Sequence, residues 1–504
     1  MKKFKALTTL VVLLFTGYAC DSIVNLDKEP LGEPSSQILF ETEEGIHKLL
    51  NSVYAQTRSW GFSGFSWFVA KEVGSDDTNP GSSPADGSVP RMEQVNNFTY
   101  LASQGDLNTF YGGLYTMIAR ANMVINNAPD VDMDPALQTR YIAEAKFFRA
   151  LAYFNLVRGW GGVSIYTEVP ADPQQASEVV PRSSEEDVYA LIIDDLEDAI
   201  AGLPLKSEYP ASEMGRATKG AAQTMLAQAY LFQQDYANAL KYAEDVINSG
   251  EYWLADTYDL NFDVDHENGP ESIFEVQFIT REERDISNEW AKWQGVRGTG
   301  SGWGFFSPSE DLANAYEPGD PRRDHTIFFE GEAWPGTNGE EVPDWPGDVD
   351  PRANQKTLLP KPWPVGYPGN SPVNLIVMRY ADVILMAAEA HNELDNAPEA
   401  LRYLEMIRDR AREGDTAILP EVTTTSKVAL RHAIWHERRV ELALEGYRYF
   451  DIMRYNKVEP GYAEDLFHAL GKTSFNSSKH ILFPIPQNEI DFSGGTLQQN
   501  PGWN

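Results

Sequence analysis

The sequence predicts a mostly α-helical protein, a helical-repeat scaffold that carries a loop-rich lobe. Three observations predict it. Nine segments place apolar residues at helical spacing, two helix-turn-helix units match each other at a fixed offset, and two long stretches between helices are rich in Gly, Pro, Trp and Asp instead.

The chain opens with Lys2, Lys3 and Lys5, a short apolar run over 7–15 and the single cysteine, Cys20. This is a secretory leader over residues 1–19, too short to span a bilayer. Thr16, Gly17, Tyr18 and Ala19 approximate the small-residue box before a lipidated cysteine, although Gly17 and Tyr18 depart from its strict form. Cys20 is therefore the expected lipid attachment point. A plain leader cut nearby, leaving a free thiol, is the other reading. Residues 20–38 are polar, carry Pro30 and Pro34, and suit a tether. The body is expected over 39–504, with helical repeats over roughly 39–58, 105–250 and 375–445 and a loop-rich lobe over 59–104 and 250–374.

Within the body, helical periodicity covers 43–57, 107–127, 137–159, 185–201, 216–232, 236–248, 375–394, 398–412 and 426–444. Ala227-Gln-Ala-Tyr230 matches Ala388-Glu-Ala-His391, and Ala239-Leu240 matches Ala400-Leu401, each pair 161 residues apart. Each lies in a helix, short turn, helix unit that resembles a tetratricopeptide repeat. Gly220, Ala227, Ala239 and Ala243 let paired helices approach, with Leu226, Tyr230 and Leu240 filling between them. The lobe contributes one strand-like run at 272–279. Loops of such length on a rigid scaffold are where binding groups concentrate.

Charge narrows the partners. The chain has 75 acidic against 41 basic residues and a formal charge of −34, which becomes −37 once the leader's three lysines are removed. Nucleic acid and acidic membrane surfaces are repelled. No later segment is long and apolar enough to span a membrane, so attachment falls to acyl chains on Cys20. One cysteine allows no internal disulfide, and stability must come from burial. The 12 Trp, 23 Tyr and 24 Phe exceed what helix packing requires, which points to aromatic groups at a working surface.

Five ordered signatures complete the pattern. They are Ala145-Lys-Phe-Phe-Arg149-Ala-Leu-Ala-Tyr153 with Gly159-Trp-Gly-Gly162, then Gly215-Arg-Ala-Thr-Lys219-Gly, then Arg379-Tyr-Ala-Asp382 through Glu389. Next comes Glu437-Arg-Arg-Val-Glu441 through Glu445-Gly-Tyr-Arg448 and Asp451, and last Phe483-Pro-Ile-Pro486 with Gln499-Asn-Pro-Gly502. With these the chain resembles the SusD/RagB family of outer-membrane nutrient-binding lipoproteins over nearly its whole mature length. Read physically, the signatures are structural: Glu437, Glu441 and Glu445 form one helix stripe, with Arg438 and Arg448 near enough for ion pairs.

The resemblance implies four tetratricopeptide-like units and a surface-exposed lipoprotein of the outer membrane. It also implies a lid on a SusC-like TonB-dependent transporter, a binding role without catalysis, and no cofactor. The expected ligand is an oligosaccharide; a peptide is the alternative, and would favour a deeper cleft with fewer tryptophans. Sugars are held by aromatic faces flanked by carboxylates, amides and Arg. Two patches combine these: Trp60, Phe62, Phe65 and Trp67 with Asp76, Asp77 and Asn79, and Trp290, Trp293, Gln294, Arg297, Trp303 and Phe305. The expected ligand-binding residues are Trp60, Trp67, Asp77, Trp290, Trp293, Arg297 and Trp303. Interspersed glycines are expected to leave their rings protruding, although Trp303 also fits the family's structural pattern.

Other motifs fail on spacing. His432 and His436 lack the glutamate of a metalloprotease helix, Gly471-Lys-Thr473 lacks the upstream glycine of a phosphate loop, and Asp130, Asp132 and Asp134 meet Pro135 where a calcium loop needs glycine. Asp344, Asp348 and Asp350 read as a solvated acidic loop, with a weak calcium site as the alternative. No metal is expected.

Overall fold

Capping chemistry sets where the long helices begin. Side chains of Thr42, Gln104, Asp134, Thr218 and Asp235 accept hydrogen bonds from backbone N–H groups in the first turns that follow them, and Ser184 and Asp187 form a reciprocal capping box. Asp134, the last acid of the failed calcium-loop match, thus opens a helix. The computed structural model describes residues 36–281, 284–363, 369 and 371–503. The leader, Cys20 and most of the tether lie outside the described residues.

Helices of eight residues or more are α1 (Glu43–Thr57), α2 (Val89–Asn96), α3 (Gly105–Asn127), α4 (Pro135–Trp160), α5 (Glu185–Gly202), α6 (Lys219–Phe232) and α7 (Tyr236–Asn248). After the lobe come α8 (Tyr380–Glu393), α9 (Ala397–Arg412), α10 (Lys427–Glu441), α11 (Arg448–Val458) and α12 (Tyr462–Ala469). From α3 to α9 each helix packs mainly on its neighbours in sequence, including α7 on α8 across the lobe insertion. Gly220, Ala227, Ala239 and Ala243 are all buried at these contacts. A side chain at Gly220 would collide with the Tyr252 ring, so the small residue is required by close packing.

Strands are few and short. Among the described residues they form four antiparallel pairs: β1 (Thr78–Gly81) with β5 (Phe305–Pro308), β2 (Ser272–Val276) with β8 (Leu375–Arg379), β3 (Ile279–Arg281) with β4 (Arg284–Ile286), and β6 (Ile327–Phe329) with β7 (Arg352–Asn354). Two corrections follow. The expected helix over 375–394 starts only at Tyr380, because Leu375–Arg379 pairs with the buried strand Ser272–Val276. The expected helix over 426–444 stops at Glu441, after which Leu444 and Gly446 take positive φ and reverse the chain. Helices α2, α11 and α12 were not expected.

That reversal brings Glu445 back beside Glu437 and Glu441, into a buried ion network. Arg379 reaches Glu271, Glu441 and Glu445 at 2.6–2.7 Å. Arg322 binds Asp320, Glu437 and Glu441 at 2.7–3.0 Å. Arg410 pairs with Glu271 and Glu441, Arg408 with Glu437, and Lys356 with Glu445. Burial pushes the Glu441 carboxyl up, but Arg410, Arg379 and Arg322 outweigh it and hold the group well below the usual carboxylate range.

Arg379→Met is expected to strand buried carboxylates and cost about 3–5 kcal/mol, read as a lower urea midpoint. Because Glu441 titrates lower folded than unfolded, its contribution is complete above about pH 4.5 and is lost as pH falls toward its folded value. Melts at stepwise lower pH should show wild-type stability declining through that window, and a smaller decline in Arg379→Met.

Candidate ligand-binding face

The face begins with glycines that press one loop onto a helix. A Cβ on Gly61 or Gly113 would sit under 3 Å from the other's backbone, so the 59–64 turn lies directly on α3. Trp60, next to Gly61, is forced outward and is 50 % exposed. Its ring stacks on Phe65 at 6.1 Å and meets Trp293 edge-on at 5.3 Å.

A second loop is closed by the same device. Gly295 and Gly302 are in backbone contact, and the Trp303 and Gly304 N–H groups donate to the carbonyls of Lys292 and Gly295 at 2.7 Å. This holds Trp303 at the surface, 41 % exposed, with the Lys292 ammonium 4.5 Å over its ring and Phe305 edge-on below. Phe65 contacts Trp60, Trp293 and Phe305, so the two exposed indoles top one continuous aromatic wall.

The structure sorts the expected residues. Trp60, Trp303 and Arg297 lie at the surface. Trp67, Trp290 and Trp293 do not protrude: each is under 5 % exposed. The correction has a physical reason, since Trp67 packs on Phe68 and against Gly446, and Trp290 and Trp293 insert between Phe68 and neighbouring rings. Glycine near an indole let backbones close over these rings. Asp77 is also fully buried; it accepts from Arg439 at 2.7 Å, and the adjacent Asp76 is gripped at both oxygens by Arg448. This acidic pair bolts the lobe to α10 and α11 and is not available to a ligand.

Arg297 is partly open. Its Nη1 donates to Ser82 Oγ at 2.8 Å and to Asp86 at 3.0 Å, clipping the 82–86 turn beside Trp303. Arg91 covers the Phe65 ring at 5.0 Å. The wall is thus fringed by Lys292, Arg297, Arg91 and Asp86, donors and an acceptor suited to hydroxyl groups. Sequence reasoning missed Asp86 and Arg91, which belong to the first patch only through contacts made in the folded chain.

A separate recess of about 250 Å³ lies under the half-exposed Trp253, with Asp256, Asn261 and His266 on its walls. In the acidic loop, Asp348 accepts from Ser83, and Asp350 accepts from Asn79 and is ion-paired with Arg352. Among the described residues, the His and carboxylate side chains close enough to share an ion are Asp259, His325 and Glu413, the first and last exposed.

Comparison with known proteins matches this fold. The profile described as the SusD family matches residues 270–503, and one described as starch-binding associating with outer membrane matches 26–231. SusD-like protein P2 of Formosa agariphila is 29 % identical over the full length of both chains. A SusD-like protein of Bacteroides ovatus is 26 % identical over 91 % of this chain and 83 % of its own. A solved laminarin binding SusD-like protein superposes with a TM-score of 0.77 at 28 % identity, covering 92 % of this chain and 100 % of that one. Surface glycan-binding protein A from Bacteroides thetaiotaomicron, solved with laminarihexaose, superposes with a TM-score of 0.73 at 22 % identity, covering 91 % and 99 %. The chain belongs to the SusD family.

Trp60→Ala and Trp303→Ala should each leave the melting temperature within about 2 °C of wild type, because neither ring is core. Trp67→Ala opens a cavity and should cost about 3–5 kcal/mol, measured by urea unfolding.

Proposed function

We propose that this protein captures neutral oligosaccharides at the surface of the outer membrane, on the face around Trp60 and Trp303, and passes them to a SusC-like TonB-dependent transporter. Lipid on Cys20 anchors it, and it acts by binding alone, without cofactor or catalysis.

One observation carries the reading: two half-exposed indoles sit on a single aromatic wall with basic and acidic side chains at its margin. Flat apolar faces suit the C–H faces of pyranose rings, and the fringe suits their hydroxyls. The full-length likeness to SusD-like proteins, including one named for laminarin binding, supports the same class of ligand. The net charge of −34 disfavours polyanionic glycans. A peptide ligand finds less support, since the exposed aromatic groups form an open face.

Isothermal titration against a panel of neutral oligosaccharides and peptides tests it. Saturable heat from a glycan, reduced at least tenfold in affinity by Trp60→Ala or Trp303→Ala with no products on standing, is the expected result. Binding untouched by both variants would place the site elsewhere. Heat from peptides alone would establish the alternative, and turnover would establish an enzyme.

A further inference from the structure

Behind the aromatic wall lies a small cavity whose polar lining is unbalanced in charge. It is bounded by Trp67 and Lys71 from the 65–73 segment, by Asn155 and Arg158 of α4, by Gln228 of α6 and by the 445–447 reversal, and its volume is about 30 Å³. That is room for about two waters or one monatomic ion.

Lys71 is 93 % buried by residue surface, and among the described residues its ammonium makes no hydrogen bond or ion pair. The Trp67 ring lies 4.7 Å from it. Arg158 faces the same space. Its Nη2 donates to Asn155 Oδ1 at 2.8 Å, and its plane lies 4.2 and 4.4 Å from Phe154 and Phe450, but its Nε is buried without a partner.

The nearby carboxylates are committed elsewhere. Glu445 lines the cavity with both oxygens engaged by Arg379 and Lys356. Gln228 donates to Asp382, which also binds Arg438. Glu72, the acid adjacent to Lys71, accepts from the Gly446 N–H and from Thr78, and burial pushes it up to about 8, so it is neutral at physiological pH. Among the described residues no carboxylate is ion-paired with either Lys71 or Arg158, and burial together with the neighbouring Arg158 charge pushes the Lys71 ammonium well below its usual range, a cost that an anion seated between the two would offset.

We propose that this cavity is a structural site for a small monovalent anion of the halide class, held between Lys71 and Arg158. Apolar walls from Trp67, Phe62 and Phe154 suit a weakly hydrated ion, and the volume excludes phosphate or a glycan. The ion would join the 65–73 segment, which bears the aromatic wall, to α4, α6 and the turn that aims Glu445.

The test uses the full chain in non-ionic detergent, melted in sodium chloride, sodium bromide or sodium gluconate at one ionic strength. At about 100 mM, chloride and bromide should each raise the wild-type melting temperature by about 2–4 °C over gluconate. Lys71→Met should lose that difference, whereas Glu72→Gln should keep it. Equal wild-type melting in all three salts, or an undiminished shift in Lys71→Met, overturns the proposal. Should Lys71→Met fail to fold, bromide-derivative crystals of the wild type decide. An anomalous peak between Lys71 and Arg158 supports the site, and water alone there refutes it.

Discussion

The fold depends on a buried exchange of charge between helix α10 and everything that touches it. Glu437, Glu441 and Glu445 point inward where an ordinary core would place leucines, and they survive there because Arg322, Arg379, Arg408, Arg410 and Lys356 converge on them from four other segments. Each carboxylate bridges at least two cations, so no single pair can be removed without leaving its partners unmatched in a dry interior. Geometry, more than net energy, is what such a network supplies. It fixes the angle between the C-terminal helices and the strands Ser272–Val276 and Leu375–Arg379, and so sets the floor of the lobe.

A second set of ion pairs carries that order to the surface. Arg439 and Arg448, on either side of the reversal at Leu444, hold Asp76 and Asp77. Asp77 leads directly into the strand Thr78–Gly81, which pairs with Phe305–Pro308 just beyond Trp303. The exposed indoles are thus positioned through a relay of buried charge and short backbone pairing, while the inner tryptophans form the support on which they rest. Exposed aromatic side chains keep a fixed geometry only where packing beneath them locks their rotamers, and the inner tryptophans supply that packing.

Reading the residues in order recovered much of the scaffold. The apolar spacing of α1 and α7 marked those helices to the residue, since each carries one clear apolar face, and in the structure each starts at a capping side chain. The errors fell where a segment's partner is remote. Leu375–Arg379 has helical spacing as well as strand composition, and only its neighbour Ser272–Val276 chooses between them. Arg448–Val458 is hard to recognise as a helix because its Arg and Asp side chains point into the core, against the usual pattern of polar outside. For the face, tryptophan and glycine in two loops marked segments that fold together, but not which of their rings reach the surface: Trp60 and Trp67 have similar local sequence, and packing against Gly446, some 380 residues away, buries one of them.

What the sequence alone determined was therefore local and compositional: helices with one clear apolar face, the acidic character of the chain, the two loop regions, and a family likeness carried by ordered signatures. Tertiary structure decided which of those loop side chains are surface and which are foundation, that Asp77 is a bolt, and that Asp86 and Arg91 join Trp60 and Trp303. The reason is physical. Exposure is a property of what covers a residue, and the covering groups here come from segments hundreds of positions distant, brought together only when the buried charges find their partners.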